Sequence, residues 1–250
     1  MKWSVREDVF PLAEVFTISR GSRTEARVVT VEIESGGFRG RGECVPYPRY
    51  GETVEGVIAE IETFLAGNPE HRRKGLQEAM APGAARNALD CAFWDLEAKG
   101  AGRRAWTHAG LDAPGPVVTV FTLSLGAPDA MEAAARKNAH RPILKIKLGG
   151  GDEDLERLRA VRRGAPDATI VVDANEGWTV DLYREIAPLL LELGVAMVEQ
   201  PLPAGDDEAL KGLDRPLPVC ADESCHDRRS LAGLAGKYDM INIKLDKTGG

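Results

Sequence analysis

Ile143-Leu144-Lys145-Ile146-Lys147, Thr169-Ile170-Val171-Val172-Asp173, Ala196-Met197-Val198-Glu199, Pro218-Val219-Cys220-Ala221-Asp222 and Met240-Ile241-Asn242-Ile243-Lys244 are five short apolar runs, each closing on a charged residue. The closing residues recur every 22 to 26 positions. That is the length of one strand-plus-helix unit, and a fixed period in this range marks a repeated supersecondary element. Each run is β-rich and apolar on both faces, as a strand buried in a parallel sheet should be. An ionised group at the end of such a strand is costly unless it has a partner or a task.

Parallel strands closed into a barrel bring their C-terminal ends to one mouth, where active sites assemble. Three carboxylates there, Asp173, Glu199 and Asp222, suit a hard cation such as Mg²⁺, which takes oxygen ligands in an octahedron. Lys147 and Lys244, on either side of that cation, would face the two sides of a bound carbon acid. The spacing therefore predicts a metal-assisted proton-transfer site. Each group also has an ordinary reading by itself. Lys145 and Lys147 could be solvated lysines on an edge strand, Asp173 a helix cap, and Asp222-Glu223-Ser224 the opening of a helix. Five such coincidences at one period are not expected.

Outward from this stretch, Val117 to Leu123 reads as a first strand and Pro128 to Lys137 as its helix. Helical segments are expected at Asp152–Arg163, Thr179–Leu193, about Asp207–Leu213 and Arg228–Ala235, and alternation of this kind implies parallel β/α architecture. Six strands result. A closed barrel needs eight units, so the strand count predicts a chain that covers about six of eight and is cut from something longer. Ala113-Pro114-Gly115-Pro116 is a turn that marks a boundary, giving domains 1–112 and 113–250.

The first 110 residues read as α+β. Residues 1 to about 45 alternate like antiparallel strands, with a hairpin from Arg27–Glu34 through Ser35-Gly36-Gly37 to Phe38–Cys44. A polar loop, Ser19 to Thr24, carries Arg20 and Arg23. Thr53–Leu65 and Ala84–Lys99 have helical spacing, the second with Ala88, Leu89, Ala92, Phe93 and Leu96 on one face.

Net charge is −7, and no Lys/Arg cluster stands out, so a nucleic-acid partner is not expected. No apolar run approaches membrane-spanning length, and Met1–Asp8 lacks the apolar core of a secretory signal. Cys44, Cys91, Cys220 and Cys225 show no CxxC spacing and read as free thiols in a reducing cytoplasm. His71, His108, His140 and His226 are too scattered for a zinc site. Gly149-Gly150-Gly151 before a helix could suggest phosphate binding, but Asp152, Glu153 and Asp154 follow at once and would repel an anion. The Asp206-Asp207-Glu208 run reads as a solvated helix start.

Leu144-Lys145-Ile146-Lys147, Asp173-Ala174-Asn175-Glu176-Gly177-Trp178, Val198-Glu199-Gln200-Pro201, Ala221-Asp222-Glu223-Ser224 and Ile241-Asn242-Ile243-Lys244 together resemble the enolase superfamily, muconate-lactonising subgroup. Ile18 to Arg23 and Pro46 to Thr53 most resemble its dipeptide epimerases. The resemblance implies an α+β capping domain followed by a TIM-type (β/α) barrel. It implies Mg²⁺ on Asp173, Glu199 and Asp222, Lys147 and Lys244 as acid/base lysines, and Lys145 as a cation near an enolate oxygen. Arg23, Arg20, Tyr50, Asn175 and Glu223 would bind substrate, with Arg23 preferred for a bidentate contact to a distal carboxylate.

The implied reaction is epimerisation of a dipeptide such as L-Ala-L/D-Glu, met in peptidoglycan turnover, by an isomerase free to assemble with copies of itself. Other subgroup reactions stay open: N-succinylamino-acid racemisation, o-succinylbenzoate synthesis, muconate cycloisomerisation, or an inert truncated member. Lys145 lies two residues before Lys147 and so on the same strand face. Its charge would lower the pKa of Lys147 toward that of a usable base.

Overall fold

The computed structural model describes residues 1–67, 73–151 and 153–250. His71 and Asp152 lie outside the described residues. Two compact units emerge. One comprises Met1–Leu12, Glu25–Pro116 and Ile243–Gly250, the other Ala13–Thr24 and Val117–Asn242.

The first unit is built on a three-stranded sheet of order β1 (Lys2–Ile18), β2 (Gly21–Ser35), β3 (Phe38–Cys44). β2 and β3 are antiparallel, in register from Val29↔Cys44 to Ser35↔Phe38. Gly36 and Gly37 close this hairpin with φ of 59° and 81°, values that a two-residue hairpin turn requires and glycine reaches at no steric cost. Val29, Val31 and Ile33 are buried, and the alternation in β2 puts them on one face. Helix α1 (Val54–Gly67) buries Val57, Ile61 and Leu65 in the same core. A short α2 (Leu76–Ala79) leads to α3 (Ala84–Gly100), and α4 (Ala105–His108) follows.

α3 lies hard against β3. A Cβ at Gly40 or Gly42 would fall on the carbonyl oxygen of Ala92 or Ala88, so the absent side chains are what let helix and strand approach. Glu52 starts the helix, accepting from Ala84 N and, with its other oxygen, from Tyr47 N, both at 2.8 Å. Arg86 on α3 donates to the carbonyls of Thr248 and Gly249 at the end of α8 (Leu245–Thr248).

The predicted polar loop at Ser19–Thr24 is instead a two-residue turn at Ser19-Arg20, and Arg23 stands on β2. Pairing continues almost to the tip, because β1 and β2 offer each other partners for their backbone groups.

Among the described residues, the second unit has a six-stranded sheet in which each strand is hydrogen-bonded in parallel to its successor: β4 (Phe121–Leu123), β5 (Ile143–Lys147), β6 (Thr169–Asp173), β7 (Val195–Glu199), β8 (Val219–Ala221) and β9 (Met240–Ile241). Sequential parallel pairing is the topology of a β/α barrel. The crossovers are α5 (Pro128–Lys137), α6 (Asp154–Gly164) and α7 (Val180–Glu192), then 3₁₀ turns at Glu208–Gly212 and Arg228–Leu234. Leu144, Ile146, Ile170, Val172, Val198 and Val219 from the strands are buried with Leu158, Val161, Tyr183, Ile186 and Leu190 from the helices. The hairpin tip joins this unit through Leu125 N to Thr17 O at 3.0 Å and Ser124 Oγ to Val15 O at 3.3 Å.

Three expectations shift. The strand predicted from Val117 begins only at Phe121; Val117 and Val118 are 83% and 63% exposed, an apolar run that none of the described residues pairs with in a sheet. The run predicted over Met240–Lys244 pairs only at Met240 and Ile241, against Cys220 and Ala221, and Lys244 precedes α8 instead of closing a strand. Asp207 is buried, not solvated, because Ser224 Oγ, Tyr238 OH and Lys237 Nζ each donate to its carboxylate at 2.6 Å. Thr179 caps α7 from its side chain, as Ser and Thr do at helix starts.

Candidate active site

Register brings the charged strand ends together. Lys147 is paired with Asp173, and Asp173 with Glu199, across β5, β6 and β7. Glu199 pairs with Cys220 on β8, which leaves Asp222 two residues further along, just past the strand end. All three carboxylates are buried, and each offers an oxygen within 4.8 Å of the others. Opposite oxygens of an octahedral Mg²⁺ shell, with bonds near 2.1 Å, stand about 4.2 Å apart. An all-oxygen, all-anionic donor set at this separation fits a hard divalent cation.

The two lysines of β5 share a face and point at the same carboxylate. Lys147 Nζ lies 2.5 Å from Asp173 Oδ2 and 3.0 Å from Asn175 Oδ1. Lys145 Nζ lies 2.9 Å from Asp173 Oδ2 and 2.7 Å from Glu199 Oε2. Asp173 Oδ1 accepts from Asn175 N at 2.9 Å.

Burial opposes every charge here, and the neighbours decide the balance. For Asp173 the adjacent Lys145 and Lys147 prevail and hold its carboxyl below the ordinary range. For Glu199 burial prevails, reinforced by Asp173, and the carboxyl is pushed up. For Lys147 burial again prevails, with help from Lys145 against the pull of Asp173, and its pKa is lowered. For Lys145 burial is overcome by Asp173 and Glu199, and its ammonium is reinforced. An acid cluster that pushes one member toward neutrality is one that an added divalent charge would relieve.

Arg20 stands at the edge of this cluster. It donates to Asn175 O at 2.8 Å, Glu176 Oε2 at 3.2 Å and Glu223 Oε1 at 2.8 Å. Burial pushes the Glu223 carboxyl up, and its neighbour Asp222 adds to the effect. Arg23 is exposed on β2, its guanidinium carbon 5.3 Å from the Phe16 ring centroid. Lys244 and Tyr50 belong to the first unit, Tyr50 in the 3₁₀ turn Pro48–Tyr50 with its ring 5.4 Å from that of Tyr47.

Two participants escaped sequence reasoning. Asn242 Nδ2 donates to Glu199 Oε1 at 3.0 Å; the signal was a lone amide interrupting an apolar run. Gln200, adjacent to Glu199, is fully buried with φ of +36°. The glycine loop after β5 holds no room for an outside anion, because Asp154 already accepts from Gly149 N and Gly150 N, both at 2.8 Å.

Comparison with known proteins agrees with this geometry. Residues 1–106 match the mandelate racemase/muconate lactonizing enzyme N-terminal domain, and residues 129–250 match the enolase C-terminal domain-like family. The chain belongs to the enolase superfamily. Among superfamily members, the L-Ala-D/L-Glu epimerase of Escherichia coli is 49% identical over 98% of this chain and 77% of its own length. A crystal structure from Agrobacterium tumefaciens, described as an enolase family member with homology to dipeptide epimerases and carrying sodium and L-Ala-L-Glu, superposes with a TM-score of 0.95. It is 52% identical, covering 99% of this chain and 76% of that one. The dipeptide epimerase of Enterococcus faecalis, solved with Mg and L-Leu-L-Tyr, gives a TM-score of 0.91 at 32% identity, covering 99% of this chain and 75% of that one. Its superfamily relatives are thus named as isomerases, and one carries the metal that the Asp173–Glu199–Asp222 triad of this chain is positioned to hold.

Proposed function

We propose that this chain is a Mg²⁺-dependent dipeptide epimerase acting on L-Ala-L/D-Glu or a close relative, of the kind released in peptidoglycan turnover. One observation carries the reading: three buried carboxylates, at or just past the ends of three successive strands, gather within reach of one another, with Lys147 and Lys145 both on Asp173. The relatives named above, and the dipeptides bound to two of them, support the substrate class.

Removing a proton α to a carboxylate builds a second negative charge beside the first, which demands preorganised positive charge. Asp173, Glu199 and Asp222 would hold Mg²⁺, and the ion would supply that charge as a Lewis acid. A lysine base working beside Mg²⁺ is the general pattern of enolase-superfamily sites, and this chain's residues conform to it rather than establish it. Lys147 Nζ takes the α-proton, and the C–H electron pair remains on the substrate as an enolate. The lowered pKa of Lys147 suits this task, since the base must first be neutral. Lys145, whose ammonium is reinforced, stays charged and faces the developing oxygen charge. The resemblance to the superfamily gives Lys244 the return of a proton, which would invert the centre with no oxidant or reductant. Asn175, which accepts from Lys147 Nζ, orients the base. Arg23 is assigned to the dipeptide's distal carboxylate, with Glu223 and Arg20 as the wall beside it, and Tyr50 is assigned to substrate by the resemblance alone.

Incubation with Mg²⁺ and L-Ala-L-Glu in D₂O is expected to deuterate the α-carbon and to yield L-Ala-D-Glu. Lys147→Ala is expected to lose exchange from one epimer by at least about 10²-fold, the scale of a general base. Absence of exchange across acidic, apolar and cationic dipeptides would overturn the reading. Undiminished exchange in Lys147→Ala would remove the base.

A further inference from the structure

Gln200 follows Glu199 directly, yet its side chain serves the next strand's loop. Its Oε1 accepts from Asp222 N at 2.9 Å and from Ser224 N at 3.0 Å. Its Nε2 donates to Leu202 O at 2.8 Å, and lies 2.8 Å from Ser224 Oγ and 2.9 Å from Tyr238 OH. The amide thereby links the end of β7, where Glu199 stands, to the loop carrying Asp222. Ser224 and Tyr238 hold it from behind and in turn donate to Asp207, which Lys237 neutralises.

The backbone supports the same conclusion. Gln200 has a φ of +36°, and the other described non-glycine residues with positive φ are Asn175 and Glu176, just after Asp173. Such conformations cost of order 1–3 kcal/mol each and persist where surrounding bonds over-determine them, often at functional sites. At Gln200 those bonds are visible: its N–H donates to Cys220 O and its carbonyl accepts from Glu176 N, both at 2.9 Å.

We propose that Gln200, braced by the Asp207–Ser224–Tyr238 network, is a positioning residue that sets the separation of Glu199 and Asp222. The inference rests on reading Asp173, Glu199 and Asp222 as Mg²⁺ ligands. Groups that orient metal ligands from outside typically change metal affinity 10- to 100-fold when removed.

The test is Mg²⁺ titration by calorimetry on the intact chain, beside its thermal midpoint in EDTA. Gln200→Met keeps length but can make none of these hydrogen bonds, and Mg²⁺ binding is expected to weaken about 10- to 100-fold. Tyr238→Phe removes one hydroxyl and tests the brace should Gln200→Met fail to fold; about 10-fold weaker binding is expected. A purely structural role would lower the EDTA midpoint and leave the affinity of the folded chain unchanged, and that result overturns the proposal. Wild-type chain that takes up no Mg²⁺ would instead overturn the metal site itself, a distinguishable outcome.

Discussion

Arg20 and Arg23 stand three residues apart on one hairpin, and their surroundings assign them different work. Arg20 is committed to Asn175, Glu176 and Glu223, so its loss would leave the deeply buried Glu223 carboxylate without that cation. Arg23 is exposed beside Phe16, and the proposed contact to the dipeptide's distal carboxylate falls to it. Arg23→Ala is accordingly expected to raise KM for L-Ala-L-Glu more than for L-Ala-L-Leu, with the folded stability changed little; steady-state kinetics on both dipeptides decide it. Asp207 gives a pH prediction. Burial raises its pKa, but the donors Lys237, Ser224 and Tyr238 together hold it below the ordinary 3.8. A folded-state pKa below the unfolded one means stability that is present above the unfolded value and lost as pH falls through the folded one. The stability gap between wild type and Asp207→Asn should therefore be constant near neutrality and shrink below about pH 4, as read from urea midpoints at several pH values. A gap independent of pH would mean that the carboxylate charge contributes nothing.

At the scale of elements, the contact of α3 with β3 makes the sharpest demand. Gly42→Ala places a methyl group on a helix carbonyl that cannot move without shifting α3. Overpacking of this kind costs typically about 1–3 kcal/mol, to be measured as a lowered urea midpoint, whereas Gly67→Ala, in open space, should be nearly silent. The elements legible in the sequence were those whose signal is local. β5, β6 and β7 end on the residues their charged closures indicate, and α5 runs over Pro128–Lys137 as the spacing predicts. What escaped depends on partners distant in the chain. Val117–Val120 looks like a strand, but among the described residues no strand pairs with it. Asp207 looks like surface until residues 224, 237 and 238 converge on it. The metal triad was legible because its register follows from strand period alone; the bracing amide of Gln200 was not, because side-chain reach leaves no period.

For the molecule as a whole, a ligand that binds only the folded chain stabilises it by mass action. At free Mg²⁺ about 100 times its Kd the gain is about 2.7 kcal/mol. For a chain of this size that is a rise of roughly 5–10 °C in thermal midpoint, reversed by EDTA. Scanning calorimetry with and without the ion provides the measurement, and an unshifted midpoint at saturating Mg²⁺ would count against a folded metal site. One carboxylate also ties together the segments that follow two neighbouring strands. Asp154 holds Gly149 and Gly150 after the strand of Lys147, and it accepts at 3.3 Å from the indole of Trp178 after the strand of Asp173. It therefore anchors both neighbouring segments at once, so a single substitution at Asp154 would loosen the ends of β5 and β6 together.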